Sequence, residues 1–192
     1  DVVGVWIETY SSLEVNASVL TNGGSITARA SDDITFSATG LIDAEFNPSW
    51  RPYFELTAGR EITMADGSFI NARNGEVNLL ADADITIGSL VGEWFVSVFS
   101  RDGSILDGDT TGAADIEAGS IILSAGLGIG EATNDLETDC TGAEGFGAIA
   151  AGTGDEGWCR VRPPLVELDA AARRVLDADL DTIGYARPTL DA

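Results

Sequence analysis

The chain has 192 residues, room for one domain with a real core, and 32 acidic against 10 basic residues give it a formal net charge of -22. A surface so negative repels phosphate backbones and anionic lipid, and no apolar run is long enough to span a bilayer, so neither nucleic-acid binding nor membrane insertion is expected. Histidine is absent and every basic residue is Arg, which removes the commonest general base and leaves carboxylates and carbonyls as ligands for hard cations such as Ca2+. A saline habitat and Arg-biased codons account for the same composition.

Asp1 opens with neither a basic n-region nor an apolar h-region, as expected where a leader is absent or already removed. Val2 to Ile7 form a first apolar run, and Leu13, Val15, Ala17 and Val19 keep a strict period of two, predicting a strand with one buried face. Asn22-Gly23-Gly24 then turns the chain. From Gly24 to Leu90 the same phrase returns: a Gly, Asp or Asn turn, then Ile/Val/Phe alternating with small polar residues. The inward candidates are Ile26, Ala28, Ile34, Phe36, Ala38, Ile62, Met64, Ile70, Ala72, Val77, Leu79, Ile85 and Ile87. Short strands so closely repeated cannot bury an apolar side alone, so they must stack on copies of themselves.

Phe46 to Phe54 breaks the rhythm with two prolines and four aromatics. Proline cannot donate to a central ladder, so residues 43–58 are expected to leave the spiral as an arm. Trp50, Tyr53 and Phe54 are its candidate partner contacts, either covering the core edge or exposed for recognition. Trp94 to Phe99 reads as a strand buried on both sides.

Residues 103–139 resume the spiral through Ile105, Ala114, Ile116, Ile121, Leu123 and Leu127. Asp102, Asp107, Asp109 and Asp115 gather in a Gly-rich turn; of these Asp107, Asp109 and Asp115 are the candidate Ca2+ ligands, although their spacing fits neither the EF-hand loop nor the tandem nonapeptide. A solvated turn is the alternative.

The segment then closes on Gly128-Ile129-Gly130-Glu131-Ala132-Thr133-Asn134-Asp135-Leu136-Glu137-Thr138-Asp139. With the preceding Gly-x-Ile phrases, this resembles the β-helical shafts of filamentous-haemagglutinin-type and other giant bacterial surface adhesins, over roughly residues 12–139. The resemblance implies an extracellular, cell-surface protein without catalysis, a shaft for attachment. Its partners would be other copies or adjoining repeats and host or matrix glycans or proteins.

Cys140 and Cys159 bracket a Gly-rich loop, 139–162, and are the available disulfide pair in an oxidising compartment; two free thiols are the alternative. After Pro163-Pro164, Leu165, Leu168, Ala172, Val175, Leu176, Leu180 and Ile183 recur at helical steps, predicting an amphipathic helix over 163–192 that caps the solenoid or links to further turns. The expected architecture is therefore mostly β: a right-handed parallel β-helix over 1–162 with loops at 43–58 and 139–162, then a short C-terminal helix. No cofactor is required by this reading.

Two other functions are compatible with such a fold. A filament or sheath subunit would pair its end strands with those of a neighbour. A polysaccharide lyase would need an Arg base beside Ca2+-binding carboxylates; Arg60, Arg73 and Arg101 are available, but no motif joins them.

Overall fold

The computed structural model describes residues 4–44, 51–131, 133–140 and 146–151, the last group by backbone only. These residues form a parallel β-solenoid of about six turns, and none is helical. The first turn is β1 (Val5–Thr9), β2 (Leu13–Val15) and β3 (Ser18–Leu20). The second is β4 (Ile26–Ala30), β5 (Ile34–Phe36) and β6 (Leu41–Asp43). The third is β7 (Tyr53–Ala58), β8 (Ile62–Met64) and β9 (Phe69–Asn71), and the fourth is β10 (Glu76–Ala81), β11 (Ile85–Ile87) and β12 (Leu90–Gly92). The fifth is β13 (Phe95–Ser100), β14 (Ile105–Asp107) and β15 (Ile116–Ala118). In the sixth, β16 (Ser120–Ala125) and β17 (Thr138–Cys140) flank a single bridge at Ile129, and β18 (Phe146–Ala151) begins another turn.

Each of the first five turns adds one strand to each of three sheets. The long face runs β1-β4-β7-β10-β13-β16-β18, and the two shorter faces run β14-β11-β8-β5-β2 and β17-β15-β12-β9-β6-β3. All registered neighbours are parallel, so equivalent residues stack in columns. On the long face Ile26 aligns with Phe54, Phe54 with Val77, and Val77 with Val96. Beside them Ala28, Leu56, Leu79 and Val98 align in the same way. These side chains are buried, and every second residue between them faces outward, as the two-residue strand period requires. Where the long face bends into the corner the column is small throughout: Ala30, Ala58, Ala81, Ser100 and Ala125.

Turns of unequal length are absorbed at the corners. The segment carrying the prolines lies between β6 and β7, and residues 45–50 of it lie outside the described set. The expected arm is shorter than 43–58, because Tyr53 to Ala58 are a ladder strand: Pro52 is buried just before it and donates nothing, while its carbonyl accepts the Glu76 N–H at 2.9 Å. Leu13 to Leu20 is two strands rather than one, broken by a corner at Asn16 and Ala17, which leaves Val19 36% exposed. Ala38 and Leu127 are exposed corner residues rather than core, since β5 and β16 end before them. In β13 only part of the outer row is covered: Ser97 is buried but Phe99 is 42% exposed, so the strand is not buried on both sides. The proposed C-terminal helix and the 162/163 boundary lie outside the described residues.

Candidate metal centre

On one of the short faces, Leu13, Ile34, Ile62, Ile85 and Ile105 form one inward column. The second inward column of that face passes through Val15, Phe36 and Met64 and, at Ile87, reaches Asp107. A carboxylate thus stands where the earlier turns carry apolar side chains. Gly108 follows it. A Cβ there would lie 2.6 Å from the Ile87 carbonyl oxygen and 2.7 Å from that of Met64, so only glycine lets the chain swing away from the ladder at this point.

The swing opens an outsized corner. Gly108 to Asp115 separate β14 from β15, where Gly88 and Ser89 suffice between β11 and β12. The additional chain folds on its own short polar side chains, the habit of Asp and Thr in turns. The Asp109 N–H donates to Asp107 Oδ1 at 2.7 Å, the Thr111 N–H to Asp109 Oδ1, and the Ala113 N–H to Thr111 Oγ1 at 3.3 Å. The next turn clasps the loop: Asn134 Nδ2 donates to the Asp109 carbonyl at 2.6 Å and to that of Asp107 at 3.4 Å.

Asp115 rejoins the ladder just before β15. The Leu90 N–H donates to its carbonyl at 2.7 Å, and its own N–H donates to the Glu137 carbonyl at 2.9 Å. Ser89, Asp115 and Glu137 therefore occupy one position on successive turns. Carboxylate oxygens of Asp107, Asp109 and Asp115 lie within 4.8 Å of one another. The structure thus brings together the three acids singled out in the sequence; Asp102, on another corner, is not among them.

Asp115 is only 1% exposed. Its Oδ2 accepts the Glu137 N–H at 2.8 Å, but its Oδ1 has no donor, and neither Asp107 Oδ2 nor Glu137 Oε2 has one. Burial pushes the Asp115 carboxyl up to about 8; the Glu137 N–H opposes the rise, and the neighbouring Asp107, Glu137 and Asp109 charges add to it. Asp107 is raised by burial as well, against the hydrogen bond from the Asp109 N–H. An all-oxygen, multiply anionic donor set of this kind suits a hard cation rather than zinc or copper. Asn134 and Glu137 were not singled out from sequence as members of the site, although both stand in its closing motif; only the stacking of turns puts them against Asp109 and Asp115.

The other sequence candidates fall elsewhere. Arg60 pairs with Asp33 at 3.6 Å, Arg101 pairs with Asp82, and Arg73 makes a two-pronged contact with Asp43 at 3.1 and 3.0 Å. Each bridges neighbouring turns, and none reaches the acidic corner. Phe54 is fully buried in the long-face column, so it is core and not a partner contact; the strand period points it inward between Ile26 and Val77. Tyr53, the next residue along, is 38% exposed. Its hydroxyl donates to Glu55 at 2.8 Å, Glu55 pairs with Arg29 at 3.1 Å, and Arg29 lies over the Trp6 ring at 5.0 Å. Trp50 lies outside the described residues. Cys140 ends β17 on the surface, and its expected partner Cys159 is also outside them.

Fold and site together define a parallel β-solenoid with an acidic corner in its fifth turn, clasped by the sixth. No protein-family model, no curated protein and no solved structure matches the chain.

Proposed function

We propose that this chain is a non-catalytic structural segment of a bacterial extracellular adhesin, a shaft that carries surface attachment. The observation that supports it best is the long face: seven parallel strands in continuous register, over columns of buried Ile, Val, Leu and Phe. Such a ladder transmits load through many backbone hydrogen bonds in parallel and needs no pocket. The shaft phrases and closing motif of the sequence agree with it, and a net charge of -22 keeps neighbouring shafts apart. Adhesive contact with host or matrix glycans or proteins falls to the outer aromatics, Trp6, Tyr53, Trp94 and Phe99, which are all at least one-third exposed. Two of them already carry an Arg across the ring, Trp6 with Arg29 and Trp94 with Arg51 at 4.1 Å.

The test is retention of the purified chain on matrix- and glycan-coated surfaces. Trp6→Ala, Tyr53→Ala and Trp94→Ala combined should abolish retention and leave the far-ultraviolet β signal unchanged. Release of unsaturated sugar ends from an acidic polysaccharide would instead make the protein an enzyme and sink the proposal.

A self-assembling filament subunit is the second reading. In that reading β1, β2 and β3, each the outermost strand of its sheet among the described residues, would pair with a neighbouring copy by strand addition. Concentration-dependent sedimentation on adding Ca2+ distinguishes it from a passive shaft.

A further inference from the structure

We propose that Asp107, Asp109 and Asp115, the last held from the following turn by the Glu137 N–H, form a Ca2+ site that fastens the outsized corner of the fifth turn to the sixth. Acidic side chains crowd many surfaces without an ion, and the case here rests on two further observations. The first is Asp115 itself: it is 1% exposed, its Oδ1 has no donor to meet it, and its carboxylate lies within 4.8 Å of those of Asp107 and Asp109. The second is Asp107, which takes an inward place in a column otherwise filled by Val15, Phe36, Met64 and Ile87, with Oδ2 also lacking a donor. A fold that needed only a turn here had an apolar residue available at that place on every earlier turn.

Taking the Asp115 carboxylate out of water is costly unless it takes up a proton or a counter-charge sits beside it. Among the described residues, Arg101 is engaged on Asp82, Arg73 on Asp43 and Arg60 on Asp33. A cation is the counter-charge the geometry accepts. Ca2+ binds oxygen at about 2.3–2.6 Å, so two of its ligands stand at most about 5 Å apart, and the three carboxylate oxygens meet that limit at 4.8 Å. Mg2+ demands a smaller octahedron and holds its waters, which favours Ca2+. Its role is mechanical. Asp107 belongs to β14 and Asp115 leads into β15, while the next turn holds Asp115 by the Glu137 N–H and Asp109 by Asn134, so an ion on these acids stiffens the corner that both turns share.

The test is calorimetric titration of the chelator-treated full chain with Ca2+, with Mg2+ in parallel, and thermal unfolding with and without Ca2+. One stoichiometric site, selective for Ca2+ and accompanied by a higher unfolding temperature, is expected. Asp109→Asn, on the loop and outside the core, should fold normally and bind at least about tenfold more weakly, since ligand charge tunes Ca2+ affinity. Asp115→Asn should lose the site altogether. Absence of a stoichiometric site in the native chain overturns the proposal, as does an Asp109→Asn chain that binds unchanged. So does a chain that Asp115→Asn stabilises while Ca2+ leaves it indifferent, because the carboxyls would then be sharing protons instead.

Discussion

Asp107 lies in register with Ile87 of the preceding turn, a carboxylate stacked on an isoleucine that is wholly buried. This pairing marks where the solenoid stops repeating itself. Up to Ile87 the column is a run of interchangeable apolar side chains; from Asp107 onward the chain leaves the ladder, gathers three acids and returns at Asp115.

Asp107→Leu extends the apolar column by one turn. In chelator it should raise stability by about 1–3 kcal/mol, since a half-buried carboxylate with an unmet oxygen is exchanged for a packed hydrophobe, and it should also erase any Ca2+-dependent stabilisation. Urea unfolding with and without Ca2+ measures both effects. A destabilised Leu variant in chelator would mean that the carboxylate is satisfied without an ion.

Phe54 and Tyr53 are adjacent and separated by the strand period. Phe54→Ala should cost about 3–5 kcal/mol, the usual penalty for emptying a fully buried aromatic site, whereas Tyr53→Ala should cost about 1 kcal/mol or less. Denaturant midpoints of the two variants decide the matter. Equal losses would show that the register of β7 is misassigned.

Arg73 adopts a φ of 50°, a left-handed conformation that disfavours any residue with a Cβ. Its N–H is held by Asn71 Oδ1 at 2.8 Å and its guanidinium by Asp43. Arg73→Ala loses the ion pair and keeps the strain, while Arg73→Gly loses the pair and relieves the strain. The Gly variant should therefore be more stable than the Ala variant by about 1 kcal/mol; the opposite order in thermal unfolding would refute the backbone assignment.

The Tyr53 phenol is pushed up to about 12 from 10.0, by burial first, then by its hydrogen bond to Glu55 and the charges of Glu55 and Glu76. The unfolded chain releases this proton first, so its contribution to stability is complete below about pH 10 and falls as pH rises toward 12. Ultraviolet titration of Tyr53 should shift to lower pH in Glu55→Gln, where the charge beside the hydroxyl is gone. An unshifted curve would separate Tyr53 from Glu55 in solution.

Much of the fold is legible in the sequence because its information is local. The two-residue period of Ile26 to Ala30, Val77 to Ala81 and Ile121 to Ala125, punctuated by Gly, Asn and Asp, already defines strands that must stack. It also marked Asp107, Asp109 and Asp115 as neighbours in one turn. Less legible was where a strand begins and ends next to a corner. Ala38 keeps the phase of Ile34 and Phe36 but lies past the end of β5, and Phe54 stands beside the prolines yet already belongs to β7.

The sequence by itself determined that strands of this pattern share one dry interior, since a short half-apolar strand has no other way to bury its face. Only the tertiary structure decided which turns lie against which, because register depends on the length of every intervening corner rather than on any single segment. For that reason Asn134 and Glu137 meet Asp109 and Asp115 only once the turns are stacked, and an acidic stretch of sequence becomes a cluster of opposed carboxylates with Asp115 buried in it.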